Sequence, residues 1–523
     1  NPDTVEAGET EPRTYFTPDR KRRHPIPQIR FARRSGRGTS PLANLSNFTL
    51  LYPSLTLRAV VDPVNNLQEG RSLGELRRRT SVAIQALLDA ANLGQYGTAE
   101  GEPDRWYWAA PLLLDRSREE FRSAVETWFS IREANPGKNR TSEANDAEDA
   151  DSNSAREDHY QFFKACFEDP SLIGLSSKPP SDLAPVLADL ALGSPAVVSL
   201  RSLLRLFPDE DLALQIKRSA EIAGEFSSLF NKPESIAAIR LSETHAWFWR
   251  MVADYCASGC LQSVLDEFFH LLKDQNVSTE DAVNQLCFTI VLNTAPINAD
   301  SAETFLQDAS RKMRCHYAVE FGSQRIESES GEKRATSIRE VFNSPFRPFV
   351  LASTSIGQEG LDFHFYCRRI VHWNLPGNPI DLEQREGRIN RYKSLVIRQQ
   401  VARKYRADLA AAEVDAGADP WEQLFAVAAE KERNAKGKCD LIPYWHVEAE
   451  QSPRIERVVP LYPFSLDQSR LNHILRTLAI YRLAFGQPRQ AELVDHLLER
   501  NFSPEELQTV MDRLVIDLSP MRE

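Results

Sequence analysis

The fold is decided by STSIGQEGLDF at 353–363, RRIVHWNLPGNP at 368–379 and EQREGRINRY at 383–392. The apolar run at 349–352, just before the first segment, predicts a buried strand, and 369–373 predicts another. Hydroxyl side chains follow the first of these runs directly, at the edge where open α/β sheets bind their ligands. Because apolar runs alternate with helical patterns here, the sequence predicts an α/β fold with a parallel sheet.

Two arginines in the third segment are suited to phosphate chemistry. Arg388 and Arg391 are three residues apart, so on a helix both would project from one face. A guanidinium offers fixed donors to the negative charge that develops at the γ-phosphate when a nucleoside triphosphate is cleaved. Gln384 lies one turn earlier as a neutral donor and acceptor, and Gly387 leaves room for a ligand. Asp362 closes a turn where its carboxylate can accept a hydrogen bond from a ribose hydroxyl.

The order of these segments resembles that of a known family. Residues 384–391 resemble motif VI of superfamily 2 helicases, and 353–363 resembles their motif V. Together with NLPGNPIDLEQREGRI, they look most like Swi/Snf-type translocases and their bacterial relatives. The resemblance implies that Arg388 and Arg391 are arginine fingers, with Gln384 beside them at the γ-phosphate.

The same resemblance implies further contacts with nucleotide and nucleic acid. The nucleotide would be contacted by Gly360 and Asp362 of motif V, with Gly387 next to the arginines. The nucleic-acid backbone would be contacted by Ser353, Thr354, Asn293 and Thr294, the last two because they follow a predicted strand where this family has its motif IV.

The sequence lacks the ATP-binding half of such a motor. A first lobe normally binds ATP and Mg²⁺ through G-x-x-x-x-G-K-[ST] and an acidic motif at a strand end. The glycine-containing segment 35–40 lacks the lysine, and the acidic segment 265–270 lies in the apolar pattern of an amphipathic helix. Since the chain also begins at Asn1 without an initiating Met, we expect the first lobe upstream or on another polypeptide.

Composition bounds the class of protein. With 523 residues, the chain is longer than one that folds around a single ordinary hydrophobic core, so several domains are expected. Its net charge of −11 shows that it is not uniformly basic. Seven scattered Cys indicate reduced thiols, and Cys256 and Cys260 have no second Cys or His pair at metal spacing, so no metal site is predicted. The sequence has no long apolar run and no leader pattern, which favours a cytoplasmic protein without a membrane segment.

Basic residues are concentrated in two regions. One extends from Arg13 to Arg37 and contains aromatic residues, and the other extends from Arg368 to Arg406. Such clusters suit phosphate contacts with nucleic acid, whereas a solvated basic arm that only tethers domains is the alternative for the first region. The resemblance favours DNA over RNA as the partner.

The pattern along the chain predicts a RecA-like lobe with a large helical module before it and a helical tail after it. The predicted regions are a basic extended arm and remnant linking to the missing first lobe at 1–80, a helical module at 81–240 with a disordered acidic loop near 135–158, the helicase C-terminal RecA-like lobe at 241–405, and a helical extension at 406–523.

Several elements are predicted within these regions. Segment 50–63 reads as a strand that completes the missing lobe, and the RecA-like lobe begins with a helix near 261–273. Its further elements are strands at 288–292 and 315–320 and helices at 302–314 and 335–342.

The resemblance implies the C-terminal half of an ATP-dependent DNA helicase or translocase, of a bacterial phage-defence or restriction-associated type. ATP hydrolysis would then belong to the complete protein, with ATP and Mg²⁺ bound mainly by the missing lobe and this chain inactive alone. Its partners would be DNA, the first RecA-like lobe and other proteins of a defence complex. The alternative is a noncatalytic nucleic-acid-binding or complex-assembly module derived from a helicase lobe.

Overall fold

The computed structural model describes most of the chain in separate ranges. These are 28–33, 42–64, 72–134, 147–241, 247–291, 295–299, 311–315, 339–346, 349–352, 362–412, 415, 417–436, 440–447, 452–483, 490–500 and 503–514. The predicted contact residues Ser353, Thr354, Gly360, Asn293 and Thr294 lie outside them.

A large helical unit comes first. Its helices are α1 Leu55–Val60, α2 Leu73–Ala91, α3 Trp106–Arg116, α4 Glu119–Ala134, α5 Ala147–Glu168, α6 Leu183–Gly193, α7 Pro195–Leu206, α8 Leu212–Phe230, α9 Pro233–Arg240, α10 Phe248–Ser258, α11 Leu261–Asp274 and α12 Thr279–Val291. They share one hydrophobic core that extends in sequence from Ile29 to Ile290. Helices α10 to α12 therefore pack with the preceding helices, while the domain bounds drawn from the sequence stay predictions.

Segment 50–63 contains a helix, so the predicted strand is wrong. The buried carboxylate of Asp115 accepts hydrogen bonds from Tyr52 Oη at 2.8 Å and from the backbone N–H groups of Leu55 and Thr56 at 3.1 and 2.7 Å. Ser54 accepts a further bond from the N–H of Leu57. These acceptors satisfy the first N–H groups of α1, which would otherwise lack partners in the core.

The acidic segment expected to be a disordered loop near 135–158 is helical from residue 147 onward, in α5. The later part of this helix carries the aromatic residues Tyr160, Phe163 and Phe167, all buried in the core. Because a helix propagates more easily than it nucleates, this anchored end extends into the polar stretch.

The strand predicted at 288–292 is also wrong, because 279–291 form α12. Leu286 and Ile290 are both buried and lie one helical turn apart, whereas Phe288 between them is exposed. A short apolar run does not by itself distinguish a strand from a buried helix.

The described residues contain four two-stranded sheets rather than one continuous sheet. The strands are β1 Ala32–Arg33, β2 Leu42–Ala43, β3 Gly97–Thr98, β4 Leu175–Ser176, β5 Ala295–Ala299, β6 Arg311–Cys315, β7 Arg369–Val371 and β8 Glu456–Val458. The β3–β4 and β7–β8 pairs are parallel, and β1–β2 and β5–β6 are antiparallel.

Two predictions fail around these strands. The end of the helix predicted at 302–314 is instead part of β6, whose ladder with β5 supplies its backbone hydrogen bonds. Residues 349–352 form no strand, and Phe349 and Val350 are exposed. A strand needs a paired neighbour, and in the described residues β7 pairs with β8 instead. The strand predicted at 369–373 is confirmed for its first three residues, and 339–342 are helical as predicted.

The remaining helices surround the candidate site and form the tail. They are α13 Pro379–Gly387, α14 Leu395–Ala411, α15 Pro420–Lys436, α16 Asp467–Leu483, α17 Gln490–Glu499 and α18 Pro504–Leu514. A second core joins α14 to α15, and α13 packs on α16. Among the helices described, none alone is long and apolar enough to span a membrane. The bent pair α6 and α7 reaches that length and apolar composition when the two helices are taken together, and both are buried in the large core.

Candidate functional site

The two arginines meet one carboxylate. Asp362 Oδ1 lies 3.2 Å from Arg391 Nη2 and 4.0 Å from Arg388 Nη1. Two positive groups thus share a single negative charge, which leaves positive charge available for another anion. The contacts of Asp362 with the arginines join segment 353–363 to segment 383–392. The sequence analysis predicted that these two segments form one nucleotide site.

The sequence predicted that both arginines project from one helix, and this prediction is wrong. Helix α13 begins at Pro379, behind Asn378, whose side chain accepts a hydrogen bond from the N–H of Ile380, and it ends at Gly387. Arg388 and Arg391 follow in the turns between α13 and α14. Their side chains converge because of this turn and their common carboxylate rather than because of helical spacing.

An open pocket of about 540 Å³ lies against this turn. It is lined by Gln384, Gly387, Arg388, Asn390 and Arg391. A Cβ atom added at Gly387 would meet no other atom within 4 Å, so the glycine borders open space. The pocket therefore presents amide and guanidinium donors around a volume suited to a phosphate group.

Donors remain available in the pocket. The side chains of Arg388 and Arg391 are 21% and 40% exposed, and that of Asp362 is 42% exposed. The Nε atoms of both arginines are buried without a hydrogen-bond partner among the described residues. Since these Nε atoms are shielded from solvent, the donors that an anion in the pocket can reach are on the exposed parts of the two guanidiniums.

Backbone hydrogen bonds fasten the two halves of the site. The N–H of Phe363 donates to the carbonyl of Arg388 at 3.0 Å, and the N–H of Leu395 donates to the carbonyl of His364 at 2.9 Å. The side-chain amide of Asn343 donates to the carbonyl of Asp362 at 2.6 Å. These bonds fix the carboxylate opposite the arginine turn.

A histidine beside Asp362 contributes no charge at neutral pH. Burial lowers the pKa of His364 to about 4, and nearby Arg398 and Arg391 act in the same direction against the attraction of Asp362. The ring is therefore neutral under physiological conditions, and the charge balance of the site depends on Asp362, Arg388 and Arg391.

Helix α13 is tied to the β7–β8 sheet by Glu386. The carboxylate accepts from Arg457 Nη2 at 2.7 Å and lies 3.3 Å from His372 Nε2. Burial alone would raise the pKa of Glu386, but the hydrogen bonds from His372 and Arg457 outweigh it and lower the pKa to about 2. Glu386 thus stays ionised and holds the helix that leads into the arginine turn.

The structure brings together five of the residues singled out in the sequence. Gln384, Gly387, Arg388 and Arg391 line the pocket, and Asp362 contacts both arginines. Their individual roles stay predictions.

Sequence reasoning missed other members of the site. Asn390 lines the pocket and lies within the quoted motif, so its position beside Arg391 was a usable signal. Lys393 and Arg398, which hold the arginine turn from outside the pocket, had no local signal, because their acidic partners are more than a hundred residues away in sequence.

The site fits phosphate better than it fits a metal ion. Within the described ranges, no group of three or more His, Cys, Asp and Glu side chains could hold a metal. The exposed guanidinium donors suit a phosphate group, and the described residues offer no set of oxygen ligands for a divalent cation beside them.

Residues 287–393 match the family model of the helicase conserved C-terminal domain. The matched segment covers about a fifth of the chain and contains the whole pocket. The match supports a C-terminal lobe of helicase superfamily 1 or 2, implies a RecA-like fold for that segment, and suggests a helicase-type protein that interacts with nucleic acid. No curated protein and no solved structure matches the chain significantly.

Proposed function

We propose that this chain supplies the second lobe of an ATP-dependent DNA helicase or translocase of superfamily 2, most similar to the Swi/Snf type. The pair of guanidiniums that shares Asp362 inside the matched segment carries the proposal. The ATP-binding first lobe would come from another part of the protein or another polypeptide, since the present sequence has no phosphate loop.

The chemistry assigned to this chain is electrostatic. Arg388 and Arg391 would exchange Asp362 for the γ-phosphate when the two lobes close, and would stabilise the charge that develops during transfer. Gln384, at the pocket wall, would orient a phosphate oxygen or the attacking water. Bound MgATP supplies the phosphoryl group and the divalent charge.

Closure would be coupled to movement along DNA. In this proposal Ser353 and Thr354 contact the nucleic-acid backbone from motif V, and Asn293 and Thr294 contact it from motif IV. Gly360 and Asp362 would contact the nucleotide on the other side of the same segment. Repeated closing and opening would then shift the nucleic-acid contacts along one strand.

The test is DNA-stimulated ATP hydrolysis by this chain mixed with the polypeptide encoded upstream. We expect hydrolysis only with both parts, and a loss of about 10³-fold or more in Arg388→Ala, the magnitude typical of arginine fingers. Arg433→Ala, an exposed arginine on α15 outside both basic clusters, is the matched control and should retain activity.

Two results would overturn the proposal. Hydrolysis that survives Arg388→Ala would exclude an arginine finger at this position. Absent hydrolysis, with DNA binding intact in folded protein, would favour the noncatalytic module derived from a helicase lobe.

A further inference from the structure

A buried lysine directly follows the arginine turn. Lys393 Nζ donates to Asp274 Oδ1 at 2.8 Å and lies 3.4 Å from His270 Nε2. Both partners are on α11, a helix of the large helical core, 119 and 123 residues away in sequence. The turn that carries the arginines is thereby attached to the helical unit.

Three aromatic rings surround the lysine ammonium. Lys393 Nζ lies 4.9 Å from the ring centroid of Phe425, 5.4 Å from that of Tyr392 and 5.8 Å from that of Tyr444. The backbone N–H of Lys393 also donates to the carbonyl of Tyr444 at 2.9 Å. Such cation–π contacts strengthen when the cation is desolvated, as it is here.

The backbone of Lys393 is left-handed, with φ of 46°. This region is disfavoured for residues other than glycine, so the surrounding contacts must hold the turn in place. The reversal separates Arg391, two residues earlier, from the start of α14 at Leu395. The direction of the arginine turn therefore depends on how firmly Lys393 is anchored.

A second buried cation reinforces the attachment. Arg398, on the first turns of α14, donates to Glu267 Oε1 of α11 at 2.6 Å. It also donates to the carbonyl of Lys393 at 2.8 Å and to the carbonyl of Phe365 at 2.5 Å. One guanidinium thus joins α11, the arginine turn and the segment that carries Asp362.

We propose that Lys393 and Arg398 are positioning residues through which helix α11 sets the direction of Arg388 and Arg391. Neither lines the pocket, and both act through the turn that they hold. A displacement of α11 by a partner or by nucleic acid would then displace the arginines. Only the catalytic consequence of this inference rests on the proposed function, because the attachment itself can be measured on this chain.

The first test is hydrogen exchange in the whole chain. Asp274→Ala removes the acceptor of Lys393, and we expect amides at 388–395 to exchange about tenfold faster while those of α10 to α12 keep their protection. Lys273→Ala is the matched control on the same helical turn, since Lys273 is partly exposed and its ion-pair partner within the described part of the chain is Glu422, at 3.6 Å. Unchanged exchange at 388–395 in Asp274→Ala would overturn the proposal.

A second variant separates anchoring from backbone strain. Lys393→Gly relaxes the left-handed turn but deletes the ammonium, so anchoring predicts faster exchange at 388–395. If strain alone mattered, the glycine would slow exchange or leave it unchanged, and the proposal would be wrong. This readout needs no nucleotide and remains decisive even if the chain takes no part in hydrolysis.

The third readout joins the inference to catalysis. In the two-part hydrolysis assay, Asp274→Ala should lower kcat about tenfold with KM for ATP within about twofold, because the arginines act mainly in the transition state. If wild-type protein hydrolyses ATP and Asp274→Ala loosens the turn without lowering kcat, the positioning role is excluded while the arginine fingers remain. Hydrolysis absent from every combination contradicts the proposed function alone.

Discussion

Asp362 Oδ1 lies 3.2 Å from Arg391 Nη2, and the same oxygen is the one nearest to Arg388. In the proposed function, the carboxylate occupies the position that a phosphate oxygen would take between the two guanidiniums. An internal anion of this kind competes with a ligand and prevents two like charges from facing each other unscreened.

Removing that internal anion should strengthen binding of a polyphosphate. We expect Asp362→Asn to bind tripolyphosphate about fivefold more tightly, the effect of roughly 1 kcal/mol of Coulomb energy at this separation in a solvent-exposed site. Isothermal titration calorimetry at low salt measures it. Asp408→Asn makes the same change of net charge on α14 and is the control. Equal or weaker binding by Asp362→Asn would show that the carboxylate does not compete.

Filling the space beside Gly387 should block the pocket without harming the fold. The added Cβ has no neighbour within 4 Å, and the residue ends a helix, so Gly387→Leu is expected to fold normally. Tripolyphosphate binding should fall by at least about tenfold if the leucine enters the ligand volume. Gly387→Ala adds only a methyl group and is the control for side-chain size. Its free energy of unfolding should be unchanged or raised by up to about 1 kcal/mol. Normal binding by the leucine variant would place the ligand elsewhere.

The low pKa of His364 makes stability depend on pH. Its pKa is about 4 in the folded protein because of burial, and about 6.5 in an unfolded chain. Between these values the unfolded state binds more protons, so stability is lost as pH falls from 6.5 toward 4.

Urea unfolding at pH 7, 5.5 and 4 tests this pH dependence. As pH falls, the free energy of unfolding of the wild-type protein should decrease, and His364→Gln should make that decrease smaller by on the order of 1 to 2 kcal/mol. His446→Gln, an exposed histidine, should leave the decrease intact. A parallel pH profile for wild type and His364→Gln would contradict the assignment.

Arg398 should be among the most sensitive positions for stability. Its side chain is fully buried, and Arg398→Met would leave Glu267 and the carbonyls of Lys393 and Phe365 without their donor. We expect a loss of roughly 3 to 5 kcal/mol in the free energy of unfolding, measured by urea denaturation. Arg406→Met on the same helix should cost less than about 0.5 kcal/mol. Similar losses in both variants would mean that the buried contacts are unimportant.

The pocket could be predicted from the sequence because its members are close in the chain. Gln384, Gly387, Arg388 and Arg391 lie within eight residues, and any compact turn brings them together. The helical face expected for the arginines was wrong, because α13 ends at Gly387. The prediction of a shared site was therefore more robust than the local conformation on which it was based.

The attachment to α11 could not be predicted. Arg398 and Glu267 are 131 residues apart, and neither periodicity nor composition reports such a pair. The strand prediction for the short apolar run around Phe288 was wrong for a related reason. This run belongs to a helix, in which Leu286 and Ile290 lie one turn apart and are both buried in the core. Tertiary packing decided both cases, and local pattern does not contain it.

The parallel pair β7–β8 has a consequence for folding during synthesis, because its two strands are far apart in sequence. Arg369 of β7 donates a side-chain hydrogen bond to Glu456, the first residue of β8, 87 residues farther along. During synthesis the ribosome completes the family segment, which ends at 393, long before the residues that close this sheet emerge. Until then the edge of β7, with Val371 and nearby Trp373 exposed, is open to wrong pairing. A recombinant fragment cut at the family boundary would keep that open edge permanently, so the shortest soluble fragment of this lobe should extend past Val458.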